Sequence, residues 1–523
     1  MNFQDLPEDT IRLILSFCDI YSVVSMSRTS KYLRRLCLDK LVWVDLVANL
    51  RRKGFVDQLS LSDIQSYSQE GLVALVKGLL TGPASWKTAP VKKSKSHWFR
   101  NRSVSSESQT NFVQISNKYI VHPPGVVASK MNQPKLLNGG EYVLFNNVTL
   151  ECWNVRRDEL VWAYEKNGPK FHIMEFAAEV VDGEDSVNIV VCERSWTHGG
   201  EDQSLVQIVK LDLSTGCSTQ LLLNENPGSN GKPCGFTDAK ICGHIACVVV
   251  ESWSEASATE STTPHSYCIL MDWKTETHLK LVANTWASPF LVTLIAEHLI
   301  FVTKNASGGP EISIINISTT LSSHWRSIAG LNGYYFPLDP IYTTQLEAII
   351  RESITFPKCK HLKGQWKRDL CAYESPLQAG TYRIWVSLYG YSRPSSKEVH
   401  AVLWCYRLSL PKRSGDRTEW RQRIVATADP VRSSSGISYS GHSRRDYAGG
   451  PTVFGPGDTI PTEVNLSTVS GGNSSCAHIS TYSGALTSLT DDNNLLVVYY
   501  KWCVLCLEFL FNFSSGNRRT FTK

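Results

Sequence analysis

The sequence predicts a multidomain chain: a small all-α module of three short helices, followed by a large all-β domain read as a β-propeller. Three observations lead there. Apolar residues recur at helical spacing only in the first hundred positions. From about Phe112 onward they fall in short runs between turn residues, and those runs repeat a loose pattern at intervals of about 40 to 60 residues. At 523 residues the chain exceeds one ordinary domain, and its 15 Trp, 20 Tyr and 19% charged content suit strands better than long solvated helices.

The first helix opens where Asp5 and Glu8 stand at capping-box spacing around Pro7. Ile11, Ile14, Leu15 and Cys18 then share one helical face, and Asp19 ends the helix. The stretch "SVVSMSRTS" supplies a second helix, and Ser30 caps a third that carries Leu33, Leu36 and Cys37. Together these form a module over residues 1–48. Residues 49–108 read as a helical spacer and basic linker, with one helix over 64–82 stopped by Gly82-Pro83.

The β domain is expected over 109–515, with 516–523 as a tail. Its repeat has an apolar strand, an Asp or Asn, one more apolar residue, a polar turn and usually a second strand. Asn154, Asp212, Asp272 and Asn316 mark four copies, and residues 401–420 form a longer variant without the acid or amide. Units too small to bury their own faces are what propeller blades look like in sequence. A pair of β-sandwiches would satisfy the same pattern. A basic insertion over 351–378 and a Ser/Gly-rich long loop over 428–475 interrupt the repeat. The strand at 112–122 should pair with the run at 495–511, because closing a ring of blades removes exposed edges.

Composition excludes several classes of function. With 53 basic and 48 acidic residues the formal charge is only +5, so no general attraction to nucleic acid or an anionic membrane follows. The basic segments at 92–103 and 358–369 read first as solvated linkers or loops, with a nuclear-import signal or a phosphate-contacting patch as the alternative. "MNFQDLPED" is acidic where a secretory signal would be basic, and the run at 495–511 is broken by Lys501 and Glu508, so neither export nor a membrane span is expected. The 15 cysteines lie scattered in apolar runs such as "IACVVV", as reduced core thiols do, which places the chain in the cytoplasm or nucleus.

Candidate chemistry also fails on spacing. "GISYSG" at 436–441 has Ser440 where a serine-hydrolase elbow needs Gly. Cys503 and Cys506 form a CxxC within a strand, and Cys359, His361 and Cys371 offer only an irregular second ligand pair, so buried thiols are preferred to zinc. No phosphate loop, H-E-x-x-H or dinucleotide fingerprint occurs. No cofactor, metal or catalytic residue is expected.

One motif remains. "LPEDTIRLILSFCDIYSVVSMSRTSKYLRRLCLDKLVW" (6–43) carries more apolar surface than three small helices can hide among themselves. Its Leu6-Pro7 start, Ile14-Leu15 pair, "SMSRTSKYLRRL" middle and closing Trp43 resemble an F-box in order and spacing. Ser30-Lys31-Tyr32 stands where many members have Cys-x-x-Trp. The resemblance implies a three-helix module that binds the Skp-type adaptor, and through it the cullin, of an SCF ubiquitin ligase. By position, Leu6, Pro7, Ile11, Ile14, Leu15 and Trp43, joined by Leu33 and Leu36, would be its adaptor-facing or module-fixing residues. The β region resembles, more weakly, the WD-like propellers of fungal-type F-box proteins. It would hold an unidentified client protein, and ubiquitin transfer would be done by partner subunits. A non-ligase scaffold or regulator bound to the adaptor would share this signature.

Overall fold

The computed structural model describes residues 6–81, 115–126 and 134–500, less the stretches 196–202, 226–233, 253–264, 284–289, 306–308, 329–337, 355–366, 392–397, 412–416, 433–442, 448–449, 455–461 and 464–477 and the single positions 182, 184, 481, 483, 484 and 491. The basic segment 92–103, Gly82-Pro83, Gly436–Gly441, Cys359, His361, Cys503 and Cys506 all lie outside the described residues. A small helical module is followed by a large all-β region of several sheets.

Six helices make up the N-terminal part: α1 (Glu8–Ser16), α2 (Ile20–Met26), α3 (Lys31–Cys37), α4 (Lys40–Arg52), α5 (Leu61–Ser66) and α6 (Gln69–Thr81). Ser30 caps α3 as its sequence position suggests, accepting from the Leu33 N–H at 3.1 Å. Three expectations need correction. Pro7 itself holds the N-cap position of α1 without a side-chain cap, and Glu8 instead pairs with Arg12 and Arg35. Asp19 does not end α1 but starts α2, accepting from Ser22 N at 2.7 Å. The helix expected over 64–82 is two: Tyr67 turns extended at the end of α5, and Ser68 Oγ accepts from Gly71 N at the start of α6. Helix α4 runs unbroken across the boundary drawn at residue 48, because Val42, Trp43, Leu46, Val47 and Leu50 all face one core.

The strands form seven sheets. Sheet 1 spans residues 135–163, sheet 2 171–225, sheet 3 234–282, sheet 4 291–353, sheet 5 367–432 and sheet 6 443–463. Sheet 7 joins Ile115–Val121 to the strands of 478–500. Sheets 1, 2, 3 and 5 are antiparallel meanders of four consecutive strands, with two short extra strands on the edge of sheet 3. The expected strand pairing is present: Ile115–Val121 pairs antiparallel with Leu495–Tyr500, so that Val121 faces Leu495 and Tyr119 faces Val497.

Sheets 1 to 5 each pack on the next. In Ser186–Ser195, Val187, Ile189 and Val191 enter the core shared with sheet 1, while Val190 and Cys192 enter the core shared with sheet 3. In Ile245–Ser252, Ala246, Val248 and Val250 face sheet 2, and Cys247 and Val249 face sheet 4. Successive side chains of a strand point to opposite faces, so a strand between two sheets needs an unbroken apolar run. Further cores join sheet 4 to sheet 5 and sheet 7 to sheet 1. The cysteines in these cores are thiols rather than disulfides, Cys247 and Cys268 sharing a hydrogen bond at 3.0 Å, and burial pushes Cys152 up to about 12.

The repeat markers have a common physical role. Asn154, Asp212, Asp272 and Asn316 each end the third strand of their sheet. Each side-chain oxygen accepts backbone N–H groups of the turn that follows: Arg156 and Arg157 for Asn154, Ser214 and Thr215 for Asp212, Lys274 and Thr275 for Asp272, and Thr319 for Asn316.

Two interruptions are smaller than expected. The stretch read as a long loop over 428–475 contains the end of Glu419–Arg432 and the three strands of sheet 6. The insertion over 351–378 is strand at both ends, Ile350–Ser353 and Lys367–Glu374.

Candidate functional site

The residues singled out in the opening motif divide into two groups. Ile11, Leu15, Leu33, Leu36 and Trp43 are buried in the core of the helical module. Trp43 is fixed there by its indole N–H, which donates to the Cys37 carbonyl at 2.9 Å. Leu6 packs partly against the same core, whereas Pro7 and Ile14 face solvent. The large apolar side chains left outside include four that sequence periodicity passed over: Phe17 is 82% exposed, Leu41 66%, Leu13 59% and Tyr21 55%. Leu13, Ile14 and Phe17 share the outer side of α1, at i, i+1 and i+4. Scattered exposed apolar residues are ordinary, but two on one nine-residue helix, a third at its C-cap and a fourth at the start of α2 form a ridge. The signal that could have found them is a second apolar face on α1, offset from the i, i+3, i+4 set.

Ion pairs hold this surface in shape. Arg12 Nε lies 3.0 Å from Asp39 Oδ2 and its Nη1 2.9 Å from Asp9, while Glu8 bridges Arg12 and Arg35, tying α1 to the last turn of α3 and the start of α4. Burial, with Cys18 alongside, pushes the Cys37 thiol beneath them up to about 11, so it stays a neutral core group.

The module is seated firmly on the β region. Tyr21 N donates to Leu377 O at 3.0 Å, Gln58 N to Gly139 O at 2.8 Å, and Arg156 Nη2 to Gln58 O at 2.7 Å. The Phe55 ring meets Tyr482 edge-on with centroids 4.5 Å apart. Gly54 and Gly140 allow the backbones to close: a Cβ on Gly54 would fall 2.3 Å from Asn138 Cβ, and one on Gly140 2.6 Å from Asp57 Cγ. All these contacts use turns between first and second strands (138–140, 377, 482) or third and fourth strands (156), which lie at one end of the sheets.

A set of charges on the first strands of sheets 1, 2 and 3 escaped the sequence, because its members are up to a hundred residues apart. Lys135 Nζ donates to Phe176 O at 2.7 Å and lies 4.2 Å from the Phe176 ring centre. Lys240 pairs with Asp238 at 2.6 Å. Burial pushes Glu175 up to about 7 against the pull of Lys135, and burial lowers Lys135. Two cations facing two acids neutralise one another, and no group of three metal-ligating side chains occurs among the described residues. No helix among them is long and apolar enough to cross a membrane.

The fold and this surface define a small helical module carrying an outward apolar ridge, fused to a many-sheeted β region. The family whose description matches is the F-box domain, over residues 3–45, which supports an F-box protein. F-box domains generally bind Skp-type adaptors, and proteins that carry them are generally non-catalytic. No curated protein matches the sequence. Among solved structures, the chain overlaps the extracellular domains 1–2 of Drosophila Semaphorin 1b at 9% identity, over 74% of this chain and 87% of that one, with a TM-score of 0.29. It overlaps Drosophila Plexin A in complex with Semaphorin 1b at 10% identity, over 74% and 87%, with a TM-score of 0.28. It overlaps the WD40 domain of SCAP from fission yeast at 9% identity, over 71% and 81%, with a TM-score of 0.33. Overlaps this loose carry no argument about this chain.

Proposed function

We propose that this protein is the substrate-recognition subunit of an SCF-type ubiquitin ligase, holding a Skp-type adaptor by its helical module and a client protein by its β region. The ridge of Leu13, Ile14, Phe17 and Tyr21 on a module that matches the F-box domain carries the proposal. Apolar anchors desolvated at the centre of an interface typically supply about 2 kcal/mol or more each. Ile11, Leu15, Leu33, Leu36 and Trp43 then act by holding the ridge in place, and Leu6, Pro7 and Ile14 by touching the adaptor.

We read the seven sheets as blades of a propeller, with Ile115–Val121 completing the last blade. Consecutive face-to-face packing of sheets 1 to 5 and of sheet 7 on sheet 1 supports this. The helical module covers one end of the sheets, so the opposite end, with the connections between second and third strands and between blades, is where a client would dock. Such a subunit works by proximity: two binding surfaces on one rigid body raise the local concentration of client at the partner enzyme, and no group of its own need react.

The test is co-purification with a Skp-type adaptor, comparing wild type with Ile14→Asp combined with Phe17→Asp. Wild type should bind, and the double variant should not while its β region still melts cooperatively. Absence of wild-type binding defeats the proposal. Adaptor binding without cullin recruitment or client ubiquitination would assign the chain to a non-ligase scaffold instead.

A further inference from the structure

Asn138-Gly139 and Asn167-Gly168 are Asn-Gly pairs whose surroundings the structure describes. In such a pair the backbone nitrogen that follows can reach the asparagine side-chain carbonyl carbon, and glycine sets no Cβ in its path. The two pairs are held differently. Asn167 Nδ2 donates to Glu193 Oε2 at 2.7 Å and to Gln207 Oε1 at 3.2 Å, which fixes that amide. Asn138 is exposed, and among the described residues its side-chain amide makes no hydrogen bond. The Gly139 N–H is likewise left over. Its turn is closed by Gly140 N, which donates to Leu137 O at 3.0 Å, and Gly139 uses only its carbonyl, accepting from Gln58 N at 2.8 Å. Gly139 has φ of +94°, and nothing lies within 4 Å of the place a Cβ would take, so space is open around the attacking nitrogen.

We propose that Asn138 is a self-modification site, at which the chain turns its own amide into an aspartyl or isoaspartyl residue. The Gly139 nitrogen forms a bond to Asn138 Cγ and gives up its proton, the Cγ–Nδ2 bond breaks, and ammonia leaves. Water then opens the cyclic imide. Opening at Cγ yields aspartate, and opening at the main-chain carbonyl yields isoaspartate, whose backbone runs through Cβ and Cγ and is one carbon longer. The place has little slack for that carbon. A Cβ on Gly54 would already fall 2.3 Å from Asn138 Cβ, and Gln58 N meets the next carbonyl. Isoaspartate at 138 therefore loosens the helical module from sheet 1. The inference stands apart from the adaptor reading, since it uses neither the ridge nor the F-box match.

The experiment incubates the folded full chain in water labelled with heavy oxygen at mildly alkaline pH and maps its peptides by mass spectrometry. Label and the mass change of amide to acid should accumulate at Asn138 at least about tenfold faster than at Asn167, whose amide must first leave a carboxylate. The isoaspartyl fraction should be cut faster by protease between the helical module and the β region. Asn138→Gln would have to close a larger ring. It should end labelling at 138 while leaving the rate at Asn167 and the melting temperature unchanged. Conversion at Asn138 no faster than at Asn167, or only after unfolding in urea, overturns the proposal. Unaltered proteolysis of the isoaspartyl chain overturns its effect on the junction.

Discussion

The strand Ser186–Ser195 and helix α1 (Glu8–Ser16) are nearly equal in length and treat their apolar residues differently. The strand buries every position, because neighbouring sheets of the same chain cover both of its faces. Helix α1 buries only Ile11 and Leu15 and leaves Leu13, Ile14 and Phe17 in water. Apolar area left exposed forgoes roughly 25 cal/mol per Å² of stabilisation, so the ridge on α1 is retained at a standing cost that a partner would recover. Sheets 1 to 5 cover one another within the chain, whereas the helical module leaves Leu13, Ile14 and Phe17 uncovered.

The comparison can be broken first in its buried half. Leu15→Ala and Ile189→Ala remove comparable side chains from packed cores, and each should cost about 2–5 kcal/mol in urea-induced unfolding. If Leu15→Ala is nearly neutral, the helical module has no core of its own and α1 is only a flap. Next comes the seam. Gly54 has φ of +71°, and an added Cβ would meet Asn138 at 2.3 Å, a backbone-anchored clash on top of a left-handed conformation. Gly54→Ala should cost about 2 kcal/mol or more and should open the junction, read as faster proteolysis between the two parts. The exposed half gives a contrast in kind: Phe17→Ala should change stability by no more than about 0.5 kcal/mol. A loss of adaptor affinity near thirtyfold, with that stability retained, would show that the ridge serves a partner; unaltered affinity would leave it unexplained.

The two regions also differed in how much could be read from sequence. In the β region, continuous runs such as "IACVVV" and the Asn/Asp markers were legible because each reports a local rule, burial on both faces or a side-chain cap on the following turn. The pairing of Ile115–Val121 with Leu495–Tyr500 was legible for a general reason, the need to pair an edge. Sheet 6 was not, since its strands are polar and Ser/Gly-rich, and neither were Lys135, Glu175, Asp238 and Lys240, which only the stacking of three sheets brings together. In the helical module, periodicity found the buried face of α1, Ile11 and Leu15, and passed over the exposed Leu13 and Phe17. An i, i+3, i+4 pattern marks what a helix turns toward its own core, and Phe17 and Leu13 lie outside it.

The smallest expected effect separates the repeat markers from one another by charge. Asn154 and Asp212 cap the same kind of turn, but only Asp212 titrates. Its Oδ1 accepts from Ser214 Oγ at 2.7 Å, Thr215 N at 2.8 Å and Ser214 N at 2.9 Å, and these bonds, the Ser214 side chain first, lower its carboxyl from 3.8 to about 2. A carboxyl depressed in the folded state contributes stability that is fully present above its ordinary value and is lost as pH falls through about 2. Asp212→Asn keeps an acceptor at the same place without the titration. The stability difference between wild type and Asp212→Asn should therefore be constant above about pH 5 and shrink steadily below pH 4, measured as urea midpoints at each pH. The matching pair, wild type against Asn154→Ala, should show no such trend. A difference for Asp212 that stays level down to pH 3 would mean that the cap works by shape alone, and the four markers would then be one device rather than two.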